Sequence, residues 1–279
     1  MIPSLMKLAY FSCTPEELKR FIPDSIHKKV NGQLCCTQIY AKPSTGWCTS
    51  DEEFVFSEQP DFLCMLAATN GHLDCLHLAT NSKNHMWSHK VWIGAARNGH
   101  LECMKYIPPY PGIWSRKMCR VAASHGQLEC MQYAWELDYH WKGKKMMKYA
   151  AKGGNVDCVK YARFKGCAWD ETTIAIAARN GRLECMAYLH TNGCPWDERT
   201  CSAAAGSGQL SCLEYALAQG CPMNLDTGVE AARNGHVDCL RLALAHGCPL
   251  VVELTMAAMS SGQLQSYIML MVKGCPSAT

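Results

Sequence analysis

The nine residues Ala177-Ala178-Arg179-Asn180-Gly181-Arg182-Leu183-Glu184-Cys185 return almost unchanged as AARNGHLEC at 95–103 and AARNGHVDC at 231–239. Looser copies start at Ala67, Ala122, Ala150 and Ala204, and a decayed copy, AMSSGQLQS, starts at Ala258. Their glycines are Gly71, Gly99, Gly126, Gly154, Gly181, Gly208, Gly235 and Gly262, spaced 27 or 28 residues apart. Self-similarity at a fixed period of this size marks a stacked-repeat architecture. A ninth copy hides upstream. Gly32-Gln33-Leu34-Cys35-Cys36 has the same form, and Trp47 follows Gly32 by the 15 residues that separate Gly99 from Trp114 and Gly181 from Trp196. Gly32 and Gly71 are 39 residues apart, so an insertion lies near 49–59.

Each period reads as two helices. Asp197 stands where an N-cap accepts bonds from the orphan amides of a first helix, and Ser88, Ser115, Gly143, Asp170 and Asn224 occupy the same position. The tryptophan before the cap is expected to staple forward, Trp169 onto Ile174 and Trp196 onto Cys201. After the glycine, Leu210, Cys212, Leu213, Ala216 and Leu217 recur at helical spacing. Gly220 then supplies a left-handed C-cap, and Pro222 prevents continuation. The Gly-Cys-Pro stop returns at Gly193, Gly247 and Gly274. In the second regular copy, Pro108, Pro109 and Pro111 should end the helix near Ile107, because proline lacks the amide and clashes with the preceding turn.

A-A-x-x-G-H-L-E, an apolar helix and a Gly-small stop together resemble the ankyrin repeat, over about Pro60 to Ala278. The repeat here is shorter than the family's, which implies that the helix pair is kept and the β-finger lost. Finger-poor, cysteine-rich copies of this kind are similar to ankyrin-like proteins of protists and of the large DNA viruses that infect them. The expected fold is an all-α helical-hairpin solenoid of about nine repeats. Residues 1–59 would form an N-terminal cap with one degenerate repeat and an acidic insert, and 60–279 eight ankyrin-like repeats.

Composition agrees with a packed chain. Of 279 residues, 48% are hydrophobic and 18% charged, which excludes a disordered tail. The longest apolar runs, such as Tyr267 to Val272, fall far short of the about 20 residues a membrane helix needs. Met1 to Phe11 carries Pro3 and Lys7 and reads as a poor signal peptide, so the expected compartment is reducing and cytoplasmic, the host's if the protein is viral. Sixteen of the 19 cysteines occupy three repeat columns, where they replace small apolar residues. Apart from adjacent Cys35 and Cys36, no two lie closer than seven residues, which excludes the C-x(2–4)-C spacing of zinc fingers. His72, His100 and His236 each precede a column cysteine by three residues, but as copies of a structural column they are expected to bond backbone groups at the turn. The tryptophan column could be read as a stacking platform for bases, but the staple accounts for it. No catalytic residue, metal or cofactor is expected.

Two features are left over. Lys142 to Trp169 holds eight basic residues and one acid, while the whole chain is +3. The insert holds Asp51, Glu52, Glu53 and Glu58 beside Phe54 and Phe56. Repeat arrays present long concave surfaces to other proteins, so the expected function is a non-enzymatic scaffold or adaptor. Its partner-binding residues would be Arg97, Lys144, Lys145, Lys148, Lys152, Arg179 and Arg233, facing an acidic segment of a protein. Nucleic-acid binding through the same basic surface is the alternative, although a charge of +3 is too small to argue for it alone. A targeting arm of a ubiquitin-ligase-type complex is another, but residues 1–31 offer only the capped helix at Thr14-Pro15-Glu16-Glu17. No membrane contact is expected. Finally, Ser266 to Val272 is apolar on all sides, which suggests an exposed patch and a weak homodimer through the last repeat.

Overall fold

The computed structural model describes residues 60–80, 87–108, 113–137 and 144–277, and every regular element among them is an α-helix, sixteen in all. The expected copy at Gly32 and Trp47, the N-terminal segment, the acidic insert, Pro109, Pro111, Trp141, Lys142 and Gly143 lie outside the described residues. The chain divides into two compact units at Met118/Cys119. The first contains α1 (Pro60–Asn70), α2 (Leu73–Ala79), α3 (His89–Asn98), α4 (Leu101–Tyr106) and the start of α5 (Ile113–Ser124). The second continues with α6 (Leu128–Glu136), α7 (Lys144–Gly153), α8 (Val156–Phe164), α9 (Glu171–Arg179) and α10 (Leu183–Thr191). It ends with α11 (Glu198–Gly206), α12 (Leu210–Ala218), α13 (Leu225–Asn234), α14 (Val237–Ala245), α15 (Val252–Ser260) and α16 (Leu264–Val272).

Helices pack on their sequence neighbour and on the helix two along. In the first unit α1 meets α2 and α3, and α4 meets α2 and α3. In the second, α7, α9, α11, α13 and α15 follow one another in one layer, and α6, α8, α10, α12, α14 and α16 in the other.

The recurring nonapeptide encodes the turn between the two layers. Ala177 and Ala178 are fully buried, and their carbonyls accept from the amides of Arg182 (2.9 Å) and Gly181 (3.1 Å). This is the paired bond of a Schellman stop, which needs a left-handed residue, and Gly181 has φ 67°. The same two bonds close α11 at Gly208 and α13 at Gly235. A second reason for glycine comes from the neighbouring repeat, whose next residue after its own glycine covers the spot. The His236 ring lies over Gly208, Arg182 over Gly154 and Asn155 over Gly126. Some of these side chains also bond backward. His100 Nε2 lies 3.1 Å from the Thr69 carbonyl, Asn155 Nδ2 donates to the Gly126 carbonyl (2.9 Å) and Arg182 Nε to that of Lys152 (3.1 Å). His100 and His236 thus bond or cover turn backbone, as their position suggested.

The second helices stop as expected. Gly166, Gly193, Gly220, Gly247 and Gly274 are all left-handed, and Cys221 and Gly220 donate to Ala216 (2.9 Å) and Leu217 (3.1 Å). Helix α4 ends at Tyr106, and Ile107 turns extended before Pro108. At the same repeat position, Leu76 and Met104 in the first unit and Met131, Val159, Met186, Leu213 and Leu240 in the second are fully buried.

The caps differ from expectation in two respects. Ser115 lies inside the first turn of α5, because the helix already starts at Ile113. Ser88 and Asn224 hold the cap position with extended backbone but make no side-chain cap bond. Asp170 makes a full capping box with Thr173, and Asp197 accepts from the Arg199 amide. The tryptophans beside these caps find ring partners behind them. Trp196 stacks on His190 of α10 (centroids 3.9 Å apart, 16°), and the Arg163 guanidinium of α8 sits 4.1 Å from the Trp169 ring. These contacts join consecutive helix pairs.

Candidate functional site

Four of the seven expected site residues share one structural position. Arg97, Lys152, Arg179 and Arg233 each fall in the last turn of a first helix, two residues before the glycine, and all are exposed. A cation there also suits the negative end of the helix dipole, so the fold by itself accounts for part of this column. Arg233 is further engaged by Glu230. Lys152 and Arg179 lie on α7 and α9, which pack directly on each other.

The first turns carry a pattern that the sequence reading missed. Helices α9, α11, α13 and α15 open with Glu171, Glu198, Asp226 and Glu253, the sign a helix N-terminus prefers. Helix α7 opens instead with Lys144-Lys145 and has no acid in its first turn. Cations at this end oppose the dipole and cost about 0.3–1 kcal/mol each. Lys145 is exposed and has no ion-pair partner among the described residues. Helix α3, in the other unit, likewise opens with His89-Lys90 and no acid, and Lys90 is exposed. The signal was available in the two residues that follow each cap position.

Lys148 plays a different part. Its Nζ is 3.2 Å from Asp170 Oδ2, and both side chains are largely buried. It therefore ties α7 to the cap of α9 rather than waiting for a partner. The Asp170 carboxyl is pushed up by burial, but hydrogen bonds from Thr172, Lys148 and Thr173 and the Lys148 charge outweigh this and hold it at about 2.

The basic block also splits between the two layers. Lys145, Lys148 and Lys152 belong to α7, whereas Lys160 and Arg163 belong to α8, with Lys165 just after it. On the α8 side Lys160 pairs with Asp157 (2.9 Å), Arg163 covers Trp169, and Lys165 lies by the rings of Tyr161 and Phe164. Phe164 itself is 82% exposed, a large apolar side chain among cations that the sequence reading passed over. The pairs Glu102–Lys105, Asp157–Lys160 and Asp238–Arg241 are exposed i,i+3 pairs on helix surfaces.

All fifteen described cysteines are unbridged, and all but Cys75 are buried. Burial pushes the thiols of Cys103, Cys185 and Cys239 up to about 11, and those of Cys158 and Cys194 to about 12. Such thiols stay protonated at neutral pH, and a protonated thiol is neither a nucleophile nor a metal ligand. Among the described residues, no three His, Cys, Asp or Glu side chains converge as a metal site. A cavity of about 240 Å³ opens beside the start of α3, between Trp87, His89, Trp92 and Lys117, below the 300–1,000 Å³ usual for ligand pockets. No helix among the described residues is long and apolar enough to cross a membrane.

No known family model matches the chain, and no curated protein matches it.

Proposed function

We propose that the chain is an ankyrin-like solenoid of about nine helix pairs, and that it works as a non-enzymatic scaffold for a protein with an acidic segment. The observation that carries the site is the opening of α7 with Lys144-Lys145, where the helix dipole disfavours cations and no acid compensates. Lys152 and Arg179 extend that charge along α7 and onto α9. Lys148 is left out, because its charge is spent on Asp170. The array belongs in the reducing cytoplasm.

The test is charge reversal that spares the fold. Lys145→Glu with Lys152→Glu and Arg179→Glu should keep the helical signal and melting behaviour, since surface changes shift stability by within about 0.5 kcal/mol each. Affinity capture from the native cell, read by mass spectrometry, should lose a protein that the wild type retains. Capture unchanged by the triple variant would remove α7 and α9 from the site. Steep salt-dependent binding of an arbitrary duplex would replace the protein partner with nucleic acid.

The last helix pair supports a second surface of the same scaffold, for another copy of this chain. Met256 and Met259 on α15 and Leu264, Ile268, Met271 and Val272 on α16 are all exposed, with Val272 at 82%. Helices α15 and α16 pack on α13 and α14 of the preceding repeat.

A further inference from the structure

The second unit contains one repeat in which cysteine fills two facing columns at once. One column lies seven residues before the repeat glycine, the other in the Gly-Cys stop. In the repeat of Gly208 these are Cys201 and Cys221. The neighbouring repeats place Ile174 opposite Cys194, Gly228 opposite Cys248, and Thr255 opposite Cys275. The repeats of Gly71 and Gly126 have Cys64 and Cys119 in the first column, but Asn84 and Tyr139 in the second.

The distance between the columns is exposed where the first side chain is missing. A Cβ placed on Gly228 would stand 3.9 Å from the Cβ of Cys248 and 2.6 Å from its sulfur. A disulfide joins Cβ atoms about 3.5–4.5 Å apart. The stop cysteine keeps its seat from repeat to repeat. Cys194 Sγ donates to the Asp170 carbonyl (3.4 Å), Cys221 Sγ to that of Asp197 (3.4 Å) and Cys275 Sγ to that of Val251 (3.1 Å). Cys221 therefore faces the Cys201 position from the same place. Both are unbridged thiols. Cys201 is fully buried, whereas Cys221 is 5% exposed and lies between exposed Gly220 and Pro222.

We propose that Cys201 and Cys221 form a reversible disulfide when the protein meets a hydroperoxide, locking α11 to the loop that ends α12. A hydrogen bond from Cys201 holds the Cys221 thiol down against its burial, and the same bond with burial pushes Cys201 up. Cys221, beside exposed Gly220 and Pro222, is the sulfur that a peroxide reaches first, and fully buried Cys201 is the resolving one. The Cys221 thiolate attacks one peroxide oxygen, the O–O bond breaks, and the departing hydroxide takes up the thiol proton as water. The Cys201 sulfur then attacks the sulfenic Cys221, the S–S bond forms, and the S–O bond breaks. The leaving hydroxide takes the Cys201 proton as a second water. Two thiols and one hydrogen peroxide yield one disulfide and two waters, with two electrons passing from sulfur to peroxide.

The experiment treats the full chain with stoichiometric hydrogen peroxide, blocks remaining thiols, and digests with a protease that cuts after Glu214, which separates the two cysteines. The expected product is a Cys201–Cys221 linked peptide that dithiothreitol releases, with Cys212 still alkylatable. The oxidised protein should melt roughly 5 °C higher, as closing a loop of this size predicts. Cys221→Ser keeps a hydroxyl to donate to the Asp197 carbonyl, so it should fold, form no link and show no rise in melting on oxidation. Cys201→Ser should leave Cys221 as a sulfenic acid trapped by dimedone. The proposal is overturned if the folded chain forms no such link, if links spread over other cysteine pairs, or if the link appears only after unfolding.

Discussion

At the scale of single residues, Asp170 carries more than a cap. Its Oδ1 accepts from Thr172 Oγ1 (2.6 Å) and the Thr173 amide (3.2 Å), and its Oδ2 faces Lys148. These partners leave the folded carboxyl at about 2, although burial opposes them. An unfolded aspartate titrates near 3.9, so the unfolded chain binds this proton more tightly. The stabilisation is therefore complete above the unfolded value and is lost as pH falls towards 2. Asp170→Asn should cost about 1–2 kcal/mol at neutral pH and flatten the loss of stability between about pH 5 and 2. Urea melts in which wild type and variant lose stability in parallel over that range would contradict it. Two glycines provide a second residue-scale test. Gly208 (φ 69°) and Gly220 (φ 76°) are both left-handed, but only Gly208 is covered, by the His236 ring. Gly220→Ala should cost only the conformational penalty of about 1–2 kcal/mol. Gly208→Ala should cost about 1 kcal/mol more, because His236 must also move. Equal losses in the two variants would mean that the covering side chain contributes nothing.

Among the elements, α7 shows how tightly a first helix is seated. A Cβ on Gly153, at its last residue, would run into the carbonyl of Ala123 at the end of α5 and stand 2.8 Å from the Gly126 amide. Backbone meets backbone there, so no side chain can yield. Gly153→Ala should destabilise by about 1–3 kcal/mol through forced separation of the two helices. Helical propensity alone would instead favour alanine by about 1 kcal/mol, so the sign of the change in a urea melt decides between packing and propensity. Lys148, at the centre of the same helix, pairs with Asp170 at the cap of α9.

For the molecule as a whole, six of the nine large exposed apolar side chains among the described residues lie on α15 and α16. Met256, Met259, Leu264, Ile268, Met271 and Val272 are 41–82% exposed, and six side chains are few beside the about 20–30 residues a side of a standard interface. The expected self-association is therefore weak. Light scattering should show a mass that rises with concentration, and Ile268→Asp with Met271→Asp should hold the chain monomeric. A wild type that stays monomeric at high concentration would exclude this use of the face.

The period, the helix pairs and their stops could be read from the amino acids because they are short-range. Each depends on helical spacing, on a glycine that tolerates positive φ, or on a proline that cannot continue, all within about ten residues. The helix stop at Ile107 and the turn at Gly220 belong to this class. What tertiary structure alone decided involves residues 20 to 30 positions apart. Lys148 belongs to Asp170, and His236 covers Gly208. The basic block divides between two helix layers, and Cys221 comes to face Cys201. Local propensity cannot reach such pairs, because which side chains meet depends on how one helix pair seats on the next, and that is set by steric fit between surfaces.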